Sequence, residues 1–214
     1  MTTVLFYLDG TLVDTAPDLG HALNLQLQKH GKPMLLESVT RPFASHGATG
    51  LLGLGFGLTP ESADFIPMRD EYLDIYEGVL TRSPTLFDGM QPALSGITEK
   101  GFKWGIVTNK LSRFTMPLVK SLGLTEHAAC VISGDDAAKP KPDPATLLLA
   151  CEHAQVKPKD CIYIGDAERD IQAGKAAGMK TVVAMYGYIG LSDKPLEWGA
   201  DFLIHTPIEV VGLI

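Results

Sequence analysis

The sequence predicts an α/β fold, in which a parallel sheet core carries an inserted α-helical cap domain. The apolar run Val4–Leu8 ends at Asp9-Gly10, a pattern typical of a buried parallel strand. After that strand the chain reads mainly as helices up to about residue 82, and from Pro84 onward strands alternate with helices. Such alternation indicates crossover connections and a Rossmann-like parallel sheet.

The helical region is the predicted cap. We expect it to span residues 16–82, with residues 1–15 and 83–214 forming the core. The cap helices are expected at Ala16–His30, Ser38–Ala44 and Met68–Leu80, and aligned apolar residues support the first and the third. The stretch Gly53–Gly57 resembles a dinucleotide loop only superficially, because no strand precedes it, and that interpretation is rejected.

The core elements follow the first strand in alternation. The predicted strands are Lys103–Thr108, Ala129–Ile132, Cys161–Ile164, Lys180–Met185 and Asp201–Ile204. The predicted helices are Gln91–Lys100, Phe114–Leu122, Pro144–Ala154 and Ile171–Ala177. These lengths suit a parallel sheet covered by helices.

Composition limits the function classes. A net charge of -7 over 214 residues, with no basic cluster, argues against a nucleic-acid partner. No apolar run approaches the ~18 residues of a membrane span, and the N-terminal residues lack the basic region of a signal peptide. Three cysteines without metal-ligand spacing favour buried thiols and a cytoplasmic location. We expect a monomer or a weak homodimer.

Polar residues follow four of the predicted strands, at the sheet edge where α/β proteins bind ligands. They are Asp9-Gly10-Thr11, Thr108-Asn109-Lys110, Lys139–Pro144 and Gly165–Asp170. Taken singly, each has a structural alternative: a helix cap, a turn, a solvated proline-rich loop or compensation of a helix dipole. Together they predict a site for an anionic ligand and a hard cation.

The motifs Leu5–Thr15, Thr108-Asn109, Lys141–Pro144 and Gly165–Asp170 resemble, in this order, those of the haloacid dehalogenase-like superfamily, in particular its phosphoglycolate phosphatase-like branch. The resemblance covers essentially the whole chain and includes the position of the helical cap. It implies hydrolysis of a small anionic phosphomonoester with Mg²⁺ as cofactor. The reaction in the family passes through an aspartyl-phosphate.

Three positions would carry the chemistry by this resemblance. Asp9 is similar to the general acid/base that protonates the leaving oxygen and later activates water. Lys141 is similar to the lysine that neutralises the charge of the nucleophile and the phosphoryl group. The nucleophile's position, two residues before Asp9, is occupied by Tyr7.

Binding roles also follow from the resemblance. Thr108 and Asn109 match the pair that orients the phosphate. Asp166, supported by Asp170, matches the acidic motif that holds Mg²⁺, which the family completes with the nucleophile and the main-chain carbonyl at Asp9.

The cap should select the substrate. Arg41, His46 and Gly47 lie where the cap of the family faces the phosphate, and Arg41 could pair with an anionic group. A surface arginine and a helix-end His-Gly are equally good interpretations. The sequence leaves open whether the substrate is phosphoglycolate, a sugar phosphate or an amino-sugar phosphate.

Tyr7 is the departure from the family pattern. A phenol with a pKa near 10 is neutral at pH 7 and a poor Mg²⁺ ligand, and its ring is expected to occupy the phosphate's place. The sequence therefore predicts little or no activity. It fits a phosphatase whose nucleophile was substituted by nature or by construction. The alternatives are a non-catalytic binding or regulatory protein and, more weakly, a phosphomutase.

Overall fold

A computed structural model describes residues 3–214 and contains the predicted parallel sheet. The strands are β1 (Thr3–Phe6), β2 (Val13–Asp14), β3 (Thr85–Leu86), β4 (Lys103–Val107), β5 (Val131–Ile132), β6 (Cys161–Gly165), β7 (Lys180–Ala184) and β8 (Phe202–Ile204). Six of them form one sheet in the order β5-β4-β1-β6-β7-β8, with every pairing parallel. The α/β class and the parallel core are thus confirmed.

Eight helices accompany these strands within residues 3–214. They are α1 (Ala16–Lys29), α2 (Glu37–Thr40), α3 (Gly47–Phe56), α4 (Phe65–Glu77), α5 (Met90–Glu99), α6 (Ser112–Ser121), α7 (Ala145–Ala154) and α8 (Glu168–Ala176). Between Ala16 and Glu77 the described chain contains helices and no strand, whereas the six-stranded sheet is built on either side of this insertion. The domain boundaries at 15/16 and 82/83 stay a prediction. None of the helices in residues 3–214 combines the length and apolarity needed to cross a membrane.

Three local elements differ from the sequence prediction. The expected helix at Ser38–Ala44 is divided into α2 and a 3₁₀ turn at Arg41–His46, because Pro42 interrupts the α-helical hydrogen bonding. Strands β2 and β3 form a short antiparallel pair that the sequence analysis missed. Helix α3 was also missed, since its glycines lower helix propensity.

Close packing explains a glycine inside α3. A Cβ atom at Gly55 would lie only 2.9 Å from Leu23 Cδ1 and 3.3 Å from Leu27 Cδ2 of α1. The missing side chain therefore lets α3 approach α1 closely. Tertiary contact here outweighs the low helix propensity of glycine.

The central strand is buried on both faces, which accounts for its continuous apolar sequence. Val4 and Phe6 belong to a hydrophobic cluster shared with the cap helices, whereas Leu5 and Tyr7 belong to a second cluster on the opposite face. Alternation along the strand thus sends the side chain of Tyr7 towards the second cluster.

The two chain crossings between core and cap are joined by hydrogen bonds. Asp18, which is buried near the start of α1, accepts a hydrogen bond from the Ser83 hydroxyl at 2.8 Å and one from the Ser83 main-chain N–H at 3.0 Å. Residues 65 apart in sequence are therefore held together beside the two predicted domain boundaries.

Replacing Asp18 with alanine should lower the free energy of unfolding by about 1–3 kcal/mol, because both Ser83 donors lose a charged acceptor. Urea unfolding measures this change. The matched control is Asp74→Ala, at an exposed position of α4, which should change stability by less than about 0.5 kcal/mol. Equal effects of the two substitutions would show that the Asp18–Ser83 bonds do not stabilise the crossing.

Candidate active site

The polar strand ends converge around a cavity of about 590 Å³ at the carboxyl edge of the sheet. Its core wall contains Tyr7, Asp9, Asn109, Lys110 and Arg169, which follow strands β1, β4 and β6. Its cap wall is mostly apolar and consists of Leu19, Ala44, Ser45, His46, Gly47, Ala48, Thr49, Gly50, Tyr72, Leu73 and Tyr76. The cavity thus lies between the sheet edge and the inserted helices.

Tyr7 lies at the floor of this cavity, where the family resemblance places the nucleophile. The residue is 5% exposed, and the centroid of its ring is 3.8 Å from Lys141 Nζ. Burial raises the pKa of the phenol further above its ordinary value, despite the opposing charge of Arg169. Tyr7 is therefore a neutral side chain at physiological pH.

Lys141 is a buried ammonium group whose donors are all engaged by the protein. Nζ donates to Asp170 Oδ1 at 2.7 Å, to the Tyr163 hydroxyl and to the Val107 carbonyl at 3.3 Å. An ammonium has three N–H groups, so three acceptors satisfy it. Burial lowers the pKa of Lys141, and the charge of Asp170 opposes that shift.

Asn109 holds the main chain of Lys141. Its Oδ1 accepts the Lys141 N–H at 2.9 Å, and its Nδ2 donates to the Lys141 carbonyl at 3.0 Å. Neighbouring Thr108 is fully buried, and its hydroxyl accepts the N–H of Lys110 at 3.0 Å. Both residues thus shape the strand end, and their contact with a phosphate stays a prediction.

Asp9 forms an ion pair that the sequence analysis did not predict. Its Oδ1 accepts hydrogen bonds from Lys110 Nζ and from Thr15 Oγ1, both at 2.7 Å. Lys110 Nζ also lies 4.7 Å from the ring centroid of Tyr76. Burial lowers the pKa of Lys110, but the interactions with Asp9 and Tyr76 together outweigh that effect, and the net shift is upward. The sequence feature that could have indicated this ion pair is the lysine directly after Thr108-Asn109.

Asp166 is the buried carboxylate that makes no ion pair among residues 3–214. Its Oδ1 accepts the Thr11 hydroxyl at 3.3 Å, and its Oδ2 accepts the Tyr188 N–H at 2.9 Å. Burial, reinforced by the charge of Asp170, raises the pKa of Asp166 to about 7. The Asp166 carboxylate lies close to the main chain at Gly10, which has no side chain. A Cβ atom at Gly10 would lie 2.2 Å from Asp166 Oδ2.

Asp170 has different partners from those predicted. Its Oδ1 bonds Lys141 and Tyr163, and its Oδ2 accepts the Ala167 N–H at 3.1 Å. Residues 3–214 contain no convergent group of three His, Cys, Asp or Glu side chains suited to a metal. Asp170 thus pairs with Lys141 in this structure, and the metal-holding roles of Asp166 and Asp170 stay predictions.

The predicted cap residues separate into two groups. His46 and Gly47 line the cavity, and Gly47 adopts φ 57° and ψ -148°, a conformation open essentially to glycine alone. Arg41 lies outside the cavity wall. Its guanidinium donates to Asp14 at 2.8 Å and stacks over the Tyr188 ring, so the prediction that it faces the substrate needs correction.

Arg169 is a second cation of the cavity that the sequence analysis missed. It follows Asp166 within the Gly165–Asp170 motif, and its Nη2 donates to Ser45 O at 2.6 Å and to Ser45 Oγ at 3.1 Å. These bonds connect the sheet edge to the cap. The sequence feature that could have indicated Arg169 is a basic residue between two acidic residues at the start of a helix.

Comparison with known proteins agrees with this architecture. The family of haloacid dehalogenase-like hydrolases matches residues 4–184. An N-acetylmuramic acid 6-phosphate phosphatase of Pseudomonas aeruginosa is 39% identical over 217 residues, covering 100% of this chain and 95% of that protein. A phosphoglycolate phosphatase of Xanthomonas campestris pv. campestris is 39% identical over 207 residues, covering 97% and 93%.

A solved structure supports the fold. A haloacid dehalogenase-like hydrolase of Streptococcus pneumoniae superposes with a TM-score of 0.83 at 20% identity, covering 100% of this chain and 98% of that one. At this identity the likeness concerns the fold alone.

The buried Lys141–Asp170 pair should show strong energetic coupling. Lys141→Met and Asp170→Asn should each lower the free energy of unfolding by about 3–5 kcal/mol, because each leaves a buried charge without its partner. The double variant should lose less than the sum of the two. Urea unfolding of the four proteins measures the coupling.

The exposed pair Lys194–Glu197 provides the control for this cycle. Its coupling should stay within about 1 kcal/mol. Additive losses at Lys141 and Asp170 would contradict the ion pair as the main interaction of these two residues.

Proposed function

The chain belongs to the haloacid dehalogenase-like hydrolases, in their phosphoglycolate phosphatase-like branch of phosphoric monoester hydrolases, and from that premise we propose that its site is built for a small phosphomonoester that also carries a carboxylate. We further propose that Tyr7 suppresses turnover. The supporting observation is the convergence of Asp9, Lys110, Asn109 and Arg169 on one cavity around Tyr7, with Lys141 directly behind its ring.

The substrate class follows from the relatives and from the cavity. Phosphoglycolate and N-acetylmuramic acid 6-phosphate, named in the two relatives, are both phosphomonoesters with a carboxylate. A cavity of about 590 Å³ is within the range of pockets for drug-sized ligands. Its aromatic cap wall, with Tyr72 and Tyr76, suits an acetamido sugar better than a two-carbon acid. We therefore favour the sugar acid phosphate.

The oxygen ligands available near Asp166 suit a Mg²⁺ ion that is bound through one protein carboxylate. Mg²⁺ commonly binds through one or two carboxylates, waters and a substrate phosphate. Asp166 supplies a buried carboxyl group whose pKa is raised by burial and by the charge of Asp170, and the Asp9 carbonyl would be a second ligand. Bound there, the ion would offset negative charge on the phosphoryl group.

Three side chains of the site, Asp9, Lys141 and Tyr7, bear on the proposed reaction. Asp9 faces the cavity and is held by Lys110 and Thr15, so its carboxyl group can exchange a proton with the leaving oxygen or with water. Lys141 lies behind position 7, where its charge stabilises an attacking carboxylate. Tyr7 offers a neutral phenol in place of that carboxylate, and its ring fills the approach to Lys141.

The cellular setting is proposed from the thiols. Cys130, Cys151 and Cys161 are free and buried, and the sulfurs of Cys151 and Cys161 lie 3.7 Å apart. Burial raises the pKa of Cys130 to about 11, which keeps this thiol protonated. Unpaired thiols at such a distance favour a reducing compartment, in agreement with the expected cytoplasmic location.

Tyr7→Asp should produce Mg²⁺-dependent phosphatase activity, with kcat higher than that of the parent by roughly 10⁶-fold, the loss seen when a covalent nucleophile is removed. The substitution supplies the nucleophile and places a second carboxylate, besides Asp170, near Lys141. Phosphate release from a panel of phosphomonoesters, including both named substrates, measures the effect. Tyr7→Asp combined with Lys141→Ala should stay inactive.

Tyr7→Asn is the matched control, because it removes the ring without supplying a nucleophile. It should stay as slow as the parent. Turnover by the parent at the rate of Tyr7→Asp would make Tyr7 a working catalytic group and overturn the proposal. Absence of turnover in all variants would favour a non-catalytic binding protein instead.

Mg²⁺ should bind more tightly to Tyr7→Asp than to the parent or to Tyr7→Asn, because an added carboxylate supplies an anionic ligand. Calorimetric titration with MgCl₂ gives the three dissociation constants, and we expect a difference of at least tenfold. Asp166→Asn in the parent should abolish the remaining binding. Equal affinities in the three proteins would mean that position 7 does not contact the ion.

A further inference from the structure

Arg169 differs from the other two cations of the site in how its charge is balanced. Lys110 pairs with Asp9 at 2.7 Å, and Lys141 pairs with Asp170 at 2.7 Å. Within residues 3–214, Arg169 forms no ion pair with a carboxylate. Its hydrogen bonds go to the uncharged oxygens of Ser45. The cavity wall therefore contains one guanidinium without a matched anion.

The guanidinium of Arg169 faces the cavity beside Tyr7. Both Ser45 bonds come from Nη2, and a contact with the Tyr7 hydroxyl helps to raise the pKa of Arg169, so the other donors face a neutral phenol and not a carboxylate. The side chain is half-buried and lines the cavity. None of its nitrogens is both buried and without a hydrogen-bond partner. A guanidinium anchored on one side and open on the other is suited to bind an oxyanion.

We infer that Arg169 is the specificity-determining residue that binds the carboxylate of the phosphomonoester. This inference rests on the proposed function. We assign the carboxylate to Arg169 because the substrates named in the two relatives both carry one, and because the charge of Lys141, whose donors are engaged by the protein, lies beside position 7, where the phosphoryl group would bind. Arg169 stands to the side of that position, with its Cζ 5.9 Å from the Tyr7 ring centroid and its Nη2 on the cap residue Ser45. A second anionic group of the substrate would reach Arg169 from the cap side of the cavity.

Two sugar phosphates form a matched pair of probes. N-acetylmuramic acid 6-phosphate and N-acetylglucosamine 6-phosphate differ by the lactyl group, which carries the carboxylate. In the Tyr7→Asp background, kcat/KM should favour the first by about ten- to a hundredfold, the range for a charge-assisted hydrogen bond. Arg169→Met should remove that preference by lowering the first value and leaving the second within about threefold.

The variants separate binding of the carboxylate from a structural role. Arg169→Lys should retain part of the preference, because it keeps a charge but loses the planar fork. Arg69→Met, at an exposed arginine paired with Asp70 outside the cavity, should leave the preference unchanged. An equal loss for both sugar phosphates in Arg169→Met and Arg169→Lys would assign Arg169 to the phosphoryl group or to the cap contact, and would overturn the inference.

A binding measurement keeps this test independent of catalysis. Calorimetry on Tyr7→Asn, which should not turn over, gives the affinities for the two intact probes with and without Arg169→Met. A preference that depends on Arg169 supports the inference even where Tyr7→Asp releases no phosphate, so that only the proposed activity would fail. Equal affinity for both probes, or no binding of either, would overturn it.

Discussion

The site depends on the interactions that stabilise the buried ammonium group of Lys141. A charge placed out of contact with water is stable only when it is paired and its donors are satisfied. Asp170 from α8 supplies the pairing carboxylate, Tyr163 from β6 and Val107 from β4 supply further acceptors, and Asn109 fixes the main chain. Groups from two strands, one helix and one loop must therefore meet at this point. The sheet order β4-β1-β6 brings them together.

Tyr7 is compatible with this arrangement, so the fold does not require a carboxylate at position 7. Its phenol is neutral, its ring joins the hydrophobic cluster on its face of the sheet, and it presents a π surface to Lys141 at 3.8 Å. The partner groups keep their own bonds and do not need a carboxylate at position 7 for their stability. Under the proposed function, a single substitution would remove the reacting group and leave Asp9, Lys141 and Asp166 in place, as expected for a substituted and not a long-abandoned site.

The fold and the positions of the motifs were predictable because they depend on local patterns. Alternating strands and helices fixed the parallel sheet, and polar residues after strands located the cavity edge. Partnerships between distant residues were not predictable: Lys110 meets Asp9 across 101 residues, and Arg169 meets Ser45 across 124. Asp170 was grouped with Asp166 from their spacing, whereas its place inside α8 turns it towards Lys141. Helix α3 was missed because its glycines serve packing against α1, which no local propensity reports.

Charge balance connects the substitution at position 7 to ligand binding. The protein as a whole is acidic, with a net charge of -7, yet the cavity region holds Lys110, Lys141 and Arg169 against the buried acids Asp9, Asp166 and Asp170. An aspartate at position 7 would add one negative charge, and tyrosine does not. The site with Tyr7 is therefore more favourable to an anion by one unit of charge, while under the proposed function it lacks the attacking carboxylate. By charge alone, the site with Tyr7 would still bind an anionic ligand even without catalysis. Whether the phosphoryl group can enter therefore depends on the space that the Tyr7 ring occupies.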